Sequence, residues 1–259
     1  MLNANDLYRE GEIPRFRYRE GQWLDLTYIL GARCKDGVVL IGDRKVTLEG
    51  GTDFEYSDKI FMDIPPIIVG SSGVAGLFDK FRRRVARYLM SHREEASDIE
   101  NFIEAIENIT RELNDRYRTI LRGNYFDVLI GILAQDGAFL QYINPIGFAE
   151  VVRKYKVIGH GEPYGSIFLK KLWNPDMTME QTAELGYFII RHIEKLELDG
   201  SVGGNPQVWF IPDPPRGQVS EEDKPKYSVH QADQTTIDAF EKRANEKITK
   251  YKESLKQLL

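Results

Sequence analysis

Two short segments about a hundred residues apart carry the same pattern, and it restricts the fold more than any other feature of the chain. Lys35, Asp36 and Gly37 separate apolar runs at 30–34 and 38–41, and Gln135, Asp136 and Gly137 separate runs at 128–134 and 139–143. Asp-Gly between two apolar runs is a tight-hairpin signal, because it tolerates the backbone angles such turns need. The flanking runs are almost continuously apolar instead of alternating, as a strand covered on both faces requires. Two hairpins of this kind predict two stacked sheets.

Between them, Leu77, Phe81, Val85 and Leu89 recur at four-residue steps, and Phe102, Ile106, Ile109 and Leu113 mark one face of a second helix. Ser97 with Glu100 has the spacing of a capping box and opens that second helix. One apolar stripe per helix lays both against a sheet. After the second hairpin, Val157 and Ile158 end a short strand at Gly159, His160 and Gly161. Thr178 with Gln181 opens a helix bearing Leu185, Phe188, Ile189, His192 and Ile193, and Val208, Trp209, Phe210 and Ile211 form a late strand. From near Thr235, the residues Ile237, Phe240, Ala244, Ile248, Tyr251, Leu255 and Leu258 predict a helix whose narrow stripe needs a partner surface. This order of elements predicts an α+β protein, a four-layer αββα sandwich. Its divisions are an N-terminal extension or propeptide at 1–26, the sandwich at 27–215, a polar linker at 216–232 and a C-terminal helix at 233–259.

Composition narrows the function classes. Against 35 basic residues stand 40 acidic ones, a net charge of −5 that argues against a nucleic-acid binder. Cys34 is the only cysteine, which excludes an internal disulfide framework and a multi-cysteine zinc site. No run approaches the roughly 18 apolar residues of a membrane span, and residues 1–26 lack the apolar centre of a secretory signal. A cytoplasmic protein is expected.

The residues that carry a resemblance begin at Thr27, Tyr28, Ile29, Leu30, Gly31 and continue through Lys35 to Leu40, Gly42, Asp43, Arg44, then Asp58 to Phe61, and Gly70 to Gly76. In that order and spacing the chain resembles the proteasome family, its β subunits and the related α subunits, over residues 27 to about 211. The resemblance implies the N-terminal-nucleophile hydrolase fold and a threonine-type peptidase. Asp43, Lys59 and Gly73 lie 16, 32 and 46 positions after Thr27. In active β subunits the matching residues are the nucleophile, an aspartate that orients a lysine, that lysine, and the glycine of an oxyanion hole.

The chemistry explains those types. A threonine hydroxyl needs a base, and an N-terminal threonine can use its own α-amine, whose ordinary pKa is near 8. A nearby ammonium favours the neutral amine and the developing alkoxide. A backbone N–H from Gly73 would meet the tetrahedral oxyanion. By the same resemblance Thr47 and Ala75 hold an extended substrate backbone, and Val46, Ser57, Ser71 and Ala75 line the first specificity pocket. Asp199, ahead of Ser201, Val202, Gly203 and Gly204, resembles a late aspartate that supports the nucleophile. The implied partners are peptide or protein substrates and copies of this chain or related subunits in a ring, with no nucleic acid, membrane, metal or organic cofactor.

Three positions depart from the family. Leu26 precedes Thr27 where self-cleaving precursors have glycine, and a β-carbon restricts the strained turn that self-cleavage needs. His160 stands in place of a serine near the nucleophile, and Val202 in place of a second supporting serine. These departures suit an alternative, an inactive scaffold or assembly subunit with an uncleaved leader. A third reading keeps the acyl-enzyme and passes it to an amine, which would make the protein a peptide ligase.

Overall fold

Both Asp-Gly hairpins form in the computed structural model, which describes residues 27–47, 54–64, 66–73, 75–92, 98–121, 126–134, 136–214 and 228–258. The first joins β1 (Ile29–Cys34) to β2 (Gly37–Gly42), antiparallel, with Lys35 and Asp36 as the turn residues. Two short strands, β3 (Lys45–Thr47) and β4 (Phe54–Tyr56), pair as a separate ribbon. Next, β5 (Ile60–Ile64) and β6 (Ile67–Ser72) lead into α1 (Ala75–Ser91) and α2 (Ile99–Leu121).

The second hairpin joins β7 (Asp127–Ala134) to β8 (Gly137–Ile143), and β9 (Ala149–Val151) follows on its edge. Then come β10 (Tyr155–Ile158), α3 (Glu162–Leu172), α4 (Met179–Lys195), β11 (Gln207–Pro212), the two-residue β12 (His230–Gln231) and α5 (Gln234–Leu258). One sheet runs β10-β1-β2-β11-β12, the other β5-β6-β7-β8-β9. Each hairpin is therefore interior to its sheet, and its strands are apolar on both faces because the other sheet covers one face and helices the other.

Three cores stack to give the four layers. Ile29, Leu40, Ile60, Ile68, Leu129 and Leu140 fill the space between the sheets. Phe81, Phe102, Ile106 and Phe126 join α1 and α2 to one sheet, and Tyr28, Leu30, Ile41, Tyr187 and Ile190 join the α3–α4 side to the other. Each large side chain so buried contributes about 1.5–3 kcal/mol relative to exposure. The chain is thus the αββα sandwich expected from its pattern of elements.

Some local expectations resolve differently. Ser97 lies outside the described residues; the adjoining Asp98 accepts the Glu100 amide at 2.8 Å and so opens α2. The capping box of Thr178 and Gln181 is present in both directions at the start of α4. Residues 1–26, read as an extension, and 215–227, which include most of the linker expected at 216–232, also lie outside the described residues. The end of that linker pairs as β12 on the edge of β11. The stripe of α5 finds its partner within the chain, where Phe240 and Ala244 are buried in the same core as α4. Tyr187 and Arg191 on α4 bond to Glu241 on α5 around that contact.

Candidate active site

Thr27 leads into β1 and is held on both sides by backbone. The Gly161 amide donates to the Thr27 carbonyl at 3.2 Å. A β-carbon on Gly159 would lie 2.2 Å from that same carbonyl oxygen, and Gly159 has φ of +93°, so no other residue fits there without strain. The next side chain, Tyr28, is wholly buried beneath α3, where Gly161 and Gly165 make room for its ring. Tyr28 is thus an anchor that fixes the position of Thr27. Thr27 itself is 4% exposed.

Asp43 follows β2 and is fully buried. Its Oδ1 accepts from the Lys59 ammonium at 2.8 Å and from the Tyr28 amide at 2.9 Å, while Oδ2 accepts from the Lys45 and Gly203 amides at 3.1 and 3.2 Å. One carboxylate oxygen therefore ties the lysine to the peptide bond that follows Thr27. Burial pushes Lys59 below the ordinary lysine value, and the charge and hydrogen bond of Asp43, then the charge of Asp199, pull it back. Burial pushes Asp43 above the usual carboxylate value, opposed by Lys59 and by the Tyr28 and Gly203 amides. The pair costs desolvation, and four donors on one carboxylate are what make its burial tolerable.

Gly73 lies between β6 and α1 with φ of +120°, a conformation that L side chains rarely adopt. Ser71 on β6 is buried and its amide donates to the Lys59 carbonyl at 3.4 Å, which joins the Gly73 strand to the Lys59 segment. Val46 and Thr47 lie on β3, three and four residues past Asp43; Ser57 is exposed just after β4, its amide on the Arg44 carbonyl at 2.8 Å; Ala75 opens α1. Hydrogen bonds thus join Asp43, Lys59 and Ser71 into one network, and Thr27 is tied to it by backbone, through the Tyr28 amide.

Asp199, on the loop after α4, builds a second cluster with Ser201 and His160. Its Oδ1 accepts the Ser201 amide at 2.9 Å and the Ser201 hydroxyl, and its Oδ2 bonds to His160 Nδ1 at 2.7 Å. Burial raises its carboxyl, but the Ser201 and His160 hydrogen bonds outweigh that and leave it below the usual carboxylate range.

Gln207 is a supporting residue that sequence reasoning missed. At 1% exposed, its side-chain oxygen accepts the Lys59 and Ile60 amides at 2.7 and 3.1 Å, and its nitrogen donates to the Ile60 carbonyl at 3.1 Å. A polar residue leading an otherwise apolar late strand was the available signal.

The family model for proteasome subunits matches residues 27–211, from Thr27 to the penultimate residue of β11. The chain is 26% identical over 187 residues to a proteasome subunit alpha of Methanococcus maripaludis, covering 70% of each chain. It is 22% identical over 173 residues to a proteasome subunit beta 1 of Desulfurococcus amylolyticus, covering 63% of this chain and 79% of the relative. Among solved structures, Anbu (ancestral beta-subunit) from Yersinia bercovieri superposes with a TM-score of 0.67 at 16% identity, over 87% of this chain and 96% of that one. Anbu from Hyphomicrobium sp. strain MC1 gives 0.65 at 16% identity, over 90% and 96%. At such identity the likeness to the Anbu structures is one of fold. With the matched region spanning both sheets and all the network residues, the chain belongs to the proteasome subunit family.

Proposed function

We propose that the chain is a threonine-type peptidase, in which Thr27, freed of residues 1–26, attacks peptide bonds. The observation that carries the reading is the Asp43 oxygen that holds the Lys59 ammonium and the Tyr28 amide together, at 2.8 and 2.9 Å. That oxygen bonds both the cation and the peptide N–H that follows the nucleophile.

In the proposed cycle the Thr27 α-amine takes the Oγ proton as Oγ bonds to the substrate carbonyl carbon. Lys59 favours the neutral amine beforehand and the alkoxide during attack. The Gly73 N–H donates to the oxyanion. Collapse breaks the C–N bond, and the leaving nitrogen takes the proton from the Thr27 ammonium. Water, deprotonated by the same amine, then cleaves the ester. Thr47 and Ala75 would hold the substrate as an added strand, with Val46, Ser57 and Ser71 around its first side chain. Asp199 supports the nucleophile through the loop it anchors.

Family subunits assemble into rings with related subunits, and a ring of this chain or of a related partner is the expected setting, in the cytoplasm. None of the helices among the described residues is long and apolar enough to cross a membrane. The deciding experiment is hydrolysis of fluorogenic peptides by wild type and Thr27→Ala, with the amino terminus sequenced. Activity that needs Thr27, in protein that begins at Thr27, supports the reading; equal activity in Thr27→Ala ends it.

A second reading, an uncleaved scaffold subunit, draws on Leu26 ahead of the nucleophile and on the 4% exposure of Thr27. An intact mass that retains residues 1–26 in the assembled protein selects it.

A further inference from the structure

The loop between β10 and α3 closes on Thr27 from both sides of His160. Gly159 abuts the Thr27 carbonyl so closely that a β-carbon has no room, and the Gly161 amide bonds to that carbonyl at 3.2 Å. The residue between them is carried to the rim of the Thr27 site whatever its type. In this chain it is a histidine, whose side chain is 45% exposed, while that of its Asp199 partner is 5% exposed.

The two have a definite chemical arrangement. A carboxylate oxygen only accepts, so the 2.7 Å contact makes Nδ1 a protonated nitrogen, and in the neutral ring the lone pair is then on Nε2. Asp199 is fixed in turn by the amide and hydroxyl of Ser201. An exposed imidazole backed by a buried, ionised and immobilised carboxylate is a base with an orienting partner. The charge of Asp199 also raises Lys59, behind the larger pull of Asp43. Among the described residues the charged group in contact with the imidazole is Asp199, from the loop after α4, and Glu162 follows two residues on in the first turn of α3.

We propose that the His160–Asp199 pair is the proton relay of the Thr27 site, with Nε2 carrying the proton between the Thr27 α-amine and the departing nitrogen of the substrate. This rests on the peptidase reading above. During acylation the Oγ–H bond breaks and Oγ–C forms; the proton held by the Thr27 ammonium passes to Nε2, and from there to the leaving nitrogen as C–N breaks. Asp199 accepts no proton. It holds the ring and offsets the imidazolium charge.

The relay needs both the amine and the imidazole unprotonated at the start, which sets its test. In wild type, log kcat/KM for a peptide substrate should fall toward acid with a slope approaching about two, because two groups titrate. His160→Gln keeps a donor for Asp199 but cannot titrate; it should show a slope of about one and a rate at neutral pH lowered roughly tenfold or more. His160→Ser, the residue type expected from the family, should share the shallower slope, and covers the case in which the glutamine variant does not fold. In parallel, intact mass after treatment with a peptide β-lactone reports whether Thr27 forms an acyl adduct. If both variants keep the wild-type slope and rate while Thr27 is acylated, the relay is wrong and the peptidase reading stands. If wild type neither hydrolyses peptide nor acylates at Thr27, the peptidase reading fails and the relay with it.

Discussion

Asp43 Oδ1 lies 2.8 Å from Lys59 Nζ in a pair whose carboxylate is completely buried and whose ammonium side chain is 9% exposed. The same oxygen holds the Tyr28 amide, so the charge of Lys59 and the position of Thr27 are set by one group. A buried pair of this kind is costly to form and more costly to break, which makes it the sharpest handle on the site.

Removing the second partner should therefore cost less than removing the first. Lys59→Met or Asp43→Asn alone is expected to lower the free energy of unfolding by about 3–5 kcal/mol, and the double variant by clearly less than the sum. Urea unfolding of the four proteins measures it, and additive losses would show that the pair is not coupled. All three variants should lack peptidase activity.

Gly159→Ala forces a β-carbon to within 2.2 Å of the Thr27 carbonyl at a φ of +93°. A destabilisation of about 1–3 kcal/mol is expected, with a loss of activity out of proportion to it, because the displaced residue is the nucleophile. A variant with wild-type kcat/KM would count against the placement of Thr27.

Gln207→Ala leaves the Lys59 and Ile60 amides and the Ile60 carbonyl without their buried partner. A loss of roughly 2–3 kcal/mol follows from deserting buried polar groups, and kcat should fall while KM changes little, since Lys59 shifts and the substrate strand does not. Steady-state kinetics beside a denaturation curve separates the two effects.

Asp127, where β7 begins, accepts the Ser72 hydroxyl at 2.5 Å and the Tyr142 hydroxyl at 3.3 Å. Burial nonetheless pushes its carboxyl up to about 6, the Ser72 and Tyr142 bonds only partly opposing it. A folded-state value above the unfolded one means stability present in full below about pH 4 and lost as pH rises through about 6. The loss is at most about 3 kcal/mol. Asp127→Asn should remove that slope, so the variant gains on wild type between about pH 4 and pH 7; a constant difference in urea midpoint across that window would refute the shift.

Phe240→Ala empties a fully buried position between α5 and α4. A cost of about 3–5 kcal/mol in a single cooperative transition is expected if the C-terminal helix is part of the sandwich. A separate early transition, with the rest unaffected, would mark it as an independent unit.

The amino-acid pattern alone determined the layers. Two Asp-Gly turns between doubly apolar runs read as hairpins covered on both faces, and the single stripes of α1 and α2 as helices laid on a sheet, because periodicity and turn chemistry are local properties. The spacing of Asp43, Lys59 and Gly73 from Thr27 was legible too, but only through a family resemblance. Tertiary structure decided what lies far apart in sequence. Gln207 clamps a segment some 150 residues earlier, Asp199 meets His160 across α3 and α4, and the stripe of α5 covers α4 of its own chain. No local rule encodes these, since each is a buried polar or apolar group satisfied by whichever distant element the packed layers bring beside it.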